Sequence, residues 1–151
     1  MRTCNSIFIF LLASIVGLLS IACNAKTEAP AKVNVDTNIV VALYSTSEIG
    51  DSLDVISPCL LEETVHIAEL LRYPGDEITM PFNFSDTSKY AEITSNNLEK
   101  RIAISVNGQV ISMPVVKMKI ENGACSVTLD ETQIKSLFPD INIEELKSTA
   151  H

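Results

Sequence analysis

The dipeptide Asn107-Gly108 sits between two apolar runs, "RIAISV" and "QVISMPVV", and constrains the fold more than any other feature. A two-residue type I′ hairpin turn needs positive φ at both central positions, and Asn-Gly meets that need. Such a turn sets Val106 opposite Gln109, Ile104 opposite Ile111 and Ile102 opposite Met113. Those residues share one face, which should be buried, while Ala103, Ser105 and Ser112 share the other. A second dipeptide, Asn122-Gly123, predicts a second hairpin with Ile120 opposite Cys125, Met118 opposite Val127 and Val116 opposite Leu129. The two hairpins would share a strand, yet they ask it to bury opposite faces. Side chains alternate strictly along a strand, so the register must be reset between them. Pro114 lies at that place, and proline in sheets belongs to bulges and edges. A bulge or sharp bend is therefore expected at Pro114 to Val116.

The rest of the chain reads as an α+β domain. "IVVALY" (Ile39 to Tyr44) predicts a strand, and Gly50-Asp51 a turn. "LDVIS" predicts a short strand ended by Pro58. "CLLEETV" fits one or two helical turns, and "HIAELLRY" fits helix or strand up to the Pro74-Gly75 turn. In "EITMPFNF" the residues Ile78, Met80, Phe82 and Phe84 recur with period two, the mark of a half-buried strand. Ser85 or Asp86 can cap a helix whose stripe of Tyr90, Ala91, Ile93, Thr94 and Leu98 should face the core. Asp130 can cap a last helix with Ile134, Leu137 and Phe138 inward, stopped by Pro139. "INIEELKSTAH" is a short terminal segment, one weak helix at most. The expected architecture is a single small domain, a mostly antiparallel sheet with two Asn-Gly hairpins and helices on one face. Trp is absent and aromatics are 5% of the chain, so the core should be aliphatic.

Residues 1–22 have the layout of a secretory signal: Arg2, then an uncharged apolar run to Ile21, then Ala22 before Cys23. "LSIAC" resembles a bacterial lipobox, with Ser20 where a branched aliphatic is usual. Cys23 is then the lipid-attachment residue, and 23–38 a polar, Ala/Pro-bearing tether. The competing reading is an uncleaved anchor helix, since Thr3 to Ala25 carries no charge and about 20 apolar residues span a bilayer. Either way, residues 39–138 form an extracytoplasmic domain, followed by a tail at 139–151. There, Cys59 and Cys125 either form a disulfide or stay as two buried free thiols. The net charge is −8, with Arg2 the only charge before residue 24. That excludes a nucleic-acid partner and adhesion to anionic lipid through a basic patch. No metal-ligand spacing and no cofactor motif is present.

The stretch "YAEITSNNLEKRIAISVNGQVISMPVV" resembles the head subdomain of the first periplasmic domain of the SecD (SecDF) protein-export translocase subunit. The matching residues are Tyr90, Ala91, Thr94, Asn97, Lys100, Arg101, Ala103, Ile104, Asn107, Gly108, Val110, Ile111, Ser112, Pro114 and Val115. "NGACSVTLDETQIKSLF" is similar to the ending of the same subdomain. The resemblance extends over roughly Ile39 to Phe138. Glu99 departs from it, standing where the family has a glycine suited to a left-handed helix cap.

The resemblance implies a non-enzymatic module that binds protein, assisting export or folding in the envelope. Its implied partners are exported polypeptides or the Sec machinery. With at most one span, the chain is not expected to be a translocase by itself. A second reading is an inhibitor, immunity-type or structural envelope lipoprotein with one dedicated partner. An enzyme is the remote third. Its candidate residues, His66 with Glu62, Glu63, Glu69 and Ser57, lack the spacing of a nucleophile elbow or a metal site.

Overall fold

Alternate residues from Val33 to Val41 turn inward, and this period of two builds one of the two long strands of the fold. The computed structural model describes residues 29–49, 52–75 and 77–144. Strand β1 spans Ala31–Ile49 and pairs antiparallel with β2, Ser52–Arg72, from Ala31↔Arg72 to Ile49↔Ser52. Ile39, Val41 and Leu43 turn inward on β1, and Val65, Ile67 and Leu70 on β2; all are buried. Lys32, Asn34, Asp36 and Asn38 face outward.

Three expectations fail here. The strand begins at Ala31 rather than Ile39, so the second half of the expected tether belongs to the sheet. "CLLEETV" is strand, not helix, because Val65 and Ile67 bury at period two. Pro58 does not end a strand. The register passes from Tyr44↔Cys59 to Ser45↔Ile56, leaving Ser57 and Pro58 as surplus residues in a bulge, where a missing N–H is tolerated. The expected Gly50-Asp51 turn, the signal segment and Cys23 lie outside the described residues.

The Pro74-Gly75 turn, with Gly75 at φ 99° and the Tyr73 N–H donating to the Glu77 carbonyl at 2.8 Å, leads into β3, Ile78–Asn83. Helix α1, Thr87–Asn96, follows and is capped as expected: the Asp86 carboxylate accepts from the Lys89 N–H at 2.9 Å. Then come β4, Ile102–Val106, β5, Gln109–Ser112, β6, Ala124–Leu129, and α2, Glu131–Leu137. The six strands form one sheet in the order β5-β4-β1-β2-β3-β6, all neighbours antiparallel. The α+β class and the mostly antiparallel sheet agree with the sequence reading.

The first hairpin has the predicted turn. Asn107 and Gly108 take φ 48° and 83°, and Val106 faces Gln109. The ladder then shifts: Ser105 pairs with Val110, but Ile104 pairs with Ser112 rather than Ile111. The bulge thus falls at Ile111, earlier than Pro114. Past Ser112 the chain leaves the sheet and runs beside the end of α1, where the Ile102 N–H donates to the Pro114 carbonyl at 3.1 Å and the Val116 N–H to Lys100 at 2.9 Å.

The second hairpin does not form. β6 pairs with β3, with Ile78 opposite Leu129 and Phe82 opposite Cys125. Tertiary burial overrides the local turn signal, because Ile78, Met80 and Phe82 offer β6 a fully buried partner face that residues 116–120 cannot. Gly123 takes φ 73° and its carbonyl accepts from the Phe84 N–H at 3.0 Å. A Cβ at Gly123 would collide with the Phe84 carbonyl oxygen.

One core unites these elements. It is mainly aliphatic, but Phe82, Phe84, Tyr90 and Phe138 also lie in it. Phe84 meets Phe82 edge-on with centroids 5.5 Å apart, and Tyr90 at 4.8 Å. Tyr90, Ile93 and Thr94 of the expected α1 stripe are buried, whereas Leu98 lies past the helix end and is 45% exposed. Helix α2 has a full capping box between Asp130 and Gln133, and Ile134 and Phe138 point inward. The domain does not stop at Phe138: Ile143 is also buried.

Candidate functional site

The sheet opens at one place. β2 and β3 are paired only at Leu71↔Thr79 and Arg72↔Ile78. Beyond these two pairs the regular ladder stops, and an open groove of about 580 Å³ runs over β2, β3 and β6. Its walls include Ala68 from β2, Pro81 and Phe82 from β3, and Ala124 and Cys125 from β6. Proline suits this wall, since Pro81 has no N–H to leave unpaired where the β2–β3 ladder has stopped. Further along β2, the Glu63 carboxylate ties the strand to the segment that caps α1. It accepts from the Ser85 N–H at 2.7 Å and the Asp86 N–H at 3.4 Å. Partial burial raises the Glu63 pKa, but these hydrogen bonds outweigh it and hold the carboxyl below its ordinary value.

The rim is acidic and polar. His66 faces the groove with Nε2 3.5 Å from the Asp36 carboxylate and Nδ1 3.3 Å from the Asn38 side-chain oxygen. Glu69 is paired with Lys32 at 2.8 Å. The carboxylates near His66 in sequence are therefore spread over different tasks, and among the described residues the imidazole meets Asn38 and Asp36. Among the described residues, no group of three His, Cys, Asp or Glu side chains could hold a metal ion.

The two cysteines do not join. Both thiols are free. Cys125 lies opposite Phe82 in the groove wall, and burial raises its pKa, more than its hydrogen bond with the Tyr90 hydroxyl lowers it. Cys59 lies opposite Tyr44, far along β2 from Ala68, at roughly 30 Å of extended strand. The alternative of two buried free thiols is met only in that both are free: Cys59 is exposed and Cys125 is partly buried.

The remaining residues singled out in the sequence hold the fold. Thr94 is buried, its hydroxyl donating to the Tyr90 carbonyl at 3.0 Å and accepting the Ile120 N–H at 3.0 Å. That single hydroxyl ties α1 to the irregular segment before β6. The Asn97 amide donates to the Ile93 carbonyl at 2.8 Å, closing the end of the helix. Glu99 adopts φ 61°, the left-handed conformation for which a glycine is suited, and its carboxylate meets Lys117 at 2.8 Å. Asn107 does more than turn the chain. Its side-chain oxygen accepts from the Val40 N–H at 3.1 Å, and its own N–H donates to the Val40 carbonyl at 2.8 Å, fastening the hairpin to β1. Asn122 forms a small loop instead of a hairpin, accepting from the Ala124 N–H at 3.1 Å. Sequence reasoning missed the groove, whose only local signal is Pro81 in a strand otherwise fit for a sheet interior.

A search of the curated proteins finds no match. Among solved structures, the chain is similar to a membrane component SecDF that enhances protein export, at 17% identity and a TM-score of 0.49. That likeness covers 62% of this chain and 56% of the other, so the chain spans just over half of that structure's length. The model of the family described as SecDF, P1 head subdomain, matches residues 63–137. The match begins within β2, later than the Ile39 expected from sequence, and takes in every element from β3 to α2. Over residues 63–137 the chain matches that head model, and it therefore contains a SecD head-like domain.

Proposed function

We propose that this chain is a bacterial envelope lipoprotein, anchored through Cys23, whose head-like domain binds extended polypeptide in a role related to protein export. The observation that carries the reading is the head-family match over residues 63–137, within which the groove over β2, β3 and β6 lies. An extended segment can lie along such a groove, setting alternate side chains against its wall. Apolar walls at Pro81, Phe82 and Ala124 suit hydrophobic side chains exposed in an unfolded client. The domain acts by binding, without chemistry of its own, and works beside a translocase rather than as one.

Crosslinking the anchored chain in its native envelope, followed by mass spectrometry, tests this. The expected result is a range of exported polypeptides together with Sec components. A single stoichiometric partner would instead support an inhibitor-like or structural lipoprotein. Hydrolysis that disappears in His66→Ala would overturn both readings.

A further inference from the structure

The start of β1 fixes how the domain stands on its membrane. Strand pairing begins at Ala31, which faces Arg72. Only residues 24–30 separate it from Cys23. Fully extended, those residues reach at most about 25 Å. If residues 3–25 span the bilayer instead, the connection is shorter still. Both ways of attaching the chain therefore place the Ala31 end of the sheet close to the lipid surface, and this inference rests on such attachment.

The same end carries the β2–β3 turn, because Arg72 pairs with both Ala31 and Ile78. Tyr73 opens that turn and is 39% exposed. A tyrosine, apolar along its ring and polar at its tip, suits the headgroup level. The opposite end of the sheet lies where β1 meets β4, with Ser45 opposite Ile102. Fourteen residues of β1 separate Ser45 from Ala31, up to about 45 Å along the strand. Met118, 68% exposed, follows the bridge between Arg101 and Val115 beside that distal end.

We propose that the β2–β3 turn, led by Tyr73, is the membrane-facing end of the domain, with the tip of the β1–β2 ribbon directed away. The occupant of this end is a lipid bilayer, held there by the short covalent connection and not by charge, since Glu69 and Glu77 lie beside it. The groove, only a few residues along β2 and β3 from the turn, would then open near the membrane surface.

The chain has no tryptophan, so Tyr73→Trp and Met118→Trp each introduce a single probe. The anchored protein, extracted from its envelope, is reconstituted in phosphatidylcholine vesicles with bromine near the headgroups, and attachment is checked by flotation. Quenching at Tyr73→Trp should exceed that at Met118→Trp at least twofold. A spacer of about 20 Gly/Ser residues after Ala29 should lower it to the Met118→Trp level. Equal quenching at both positions, or no effect of the spacer, in a chain that floats would overturn the proposed orientation. A chain that does not float would instead remove the membrane attachment, and the orientation with it.

Discussion

Replacing Gly123 by alanine separates two contributions that a glycine can make. Gly75, Gly108 and Gly123 all have positive φ, at 99°, 83° and 73°. Gly75 and Gly108 have open space where a Cβ would stand, so alanine there meets only the backbone preference, about 1 kcal/mol. At Gly123 the same preference applies, and the methyl also meets the Phe84 carbonyl oxygen and the Thr87 methyl. To clear it, the Gly123–Phe84 hydrogen bond must open, with a net loss of about 1 kcal/mol. Phe84, fully buried and packed on Phe82 and Tyr90, must also shift, and a strained core site loses about 1 kcal/mol or more. The total is roughly 3 kcal/mol, against about 1 for Gly108→Ala. Urea unfolding followed by circular dichroism measures both, with an unchanged slope showing that the folded state is retained. In thermal unfolding the difference corresponds to roughly 10 °C. If Gly123→Ala lost no more stability than Gly108→Ala, the close approach of β6 to Phe84 would be refuted.

Three further outcomes follow from single contacts. Thr94→Val keeps the shape but strands the Ile120 N–H, so it should destabilise by about 1–3 kcal/mol, with Thr94→Ser losing less; equal losses in urea unfolding would count against the hydrogen bond. Glu99→Gly removes left-handed strain at φ 61° and gives up an exposed ion pair with Lys117, for a net gain of about 0.5 kcal/mol or slightly more, read as a raised midpoint. The Glu63 carboxyl is held below its ordinary 4.5. Its contribution is present above that value and is lost as pH falls through the lowered folded-state pKa. The stability gap between the native chain and Glu63→Gln should therefore be widest at neutral pH and narrow as the pH falls below the ordinary carboxylate value; a gap that grew on acidification would reverse the assignment.

What the sequence discloses about this fold divides by range. α1, α2, β3 and the Asn107-Gly108 turn are written in neighbouring residues: an Asp cap, a helical stripe, period-two alternation, a dipeptide able to take positive φ. β1 was equally written, as Val33, Val35 and Thr37 continue the alternation of Ile39 and Val41. Their Asn and Asp neighbours made the segment look like a tether, although outward positions on a half-exposed strand are polar. Asn122-Gly123 misled because turn propensity is local while strand partners are chosen by burial, and β3 supplied a better buried face than residues 116–120. Asn97 is marked by the resemblance, Thr94 by the helical stripe as well, and Asn107 by its turn signal; geometry explains all three as fasteners of the fold. The groove left only Pro81 as a local trace. It forms where the β2–β3 ladder stops after two pairs and β6 completes the wall, an arrangement set by residues far apart in the chain.

The central claim is that extended polypeptide enters that groove. A photoactivatable aromatic crosslinker placed at Ala68, on the groove wall, and separately at Val110, on the remote hairpin, tests it in the native envelope. The account predicts many adducts with incompletely folded exported polypeptides from Ala68 and few from Val110. Equal adducts from the two positions, or none from Ala68 while the folded chain is abundant, would contradict it.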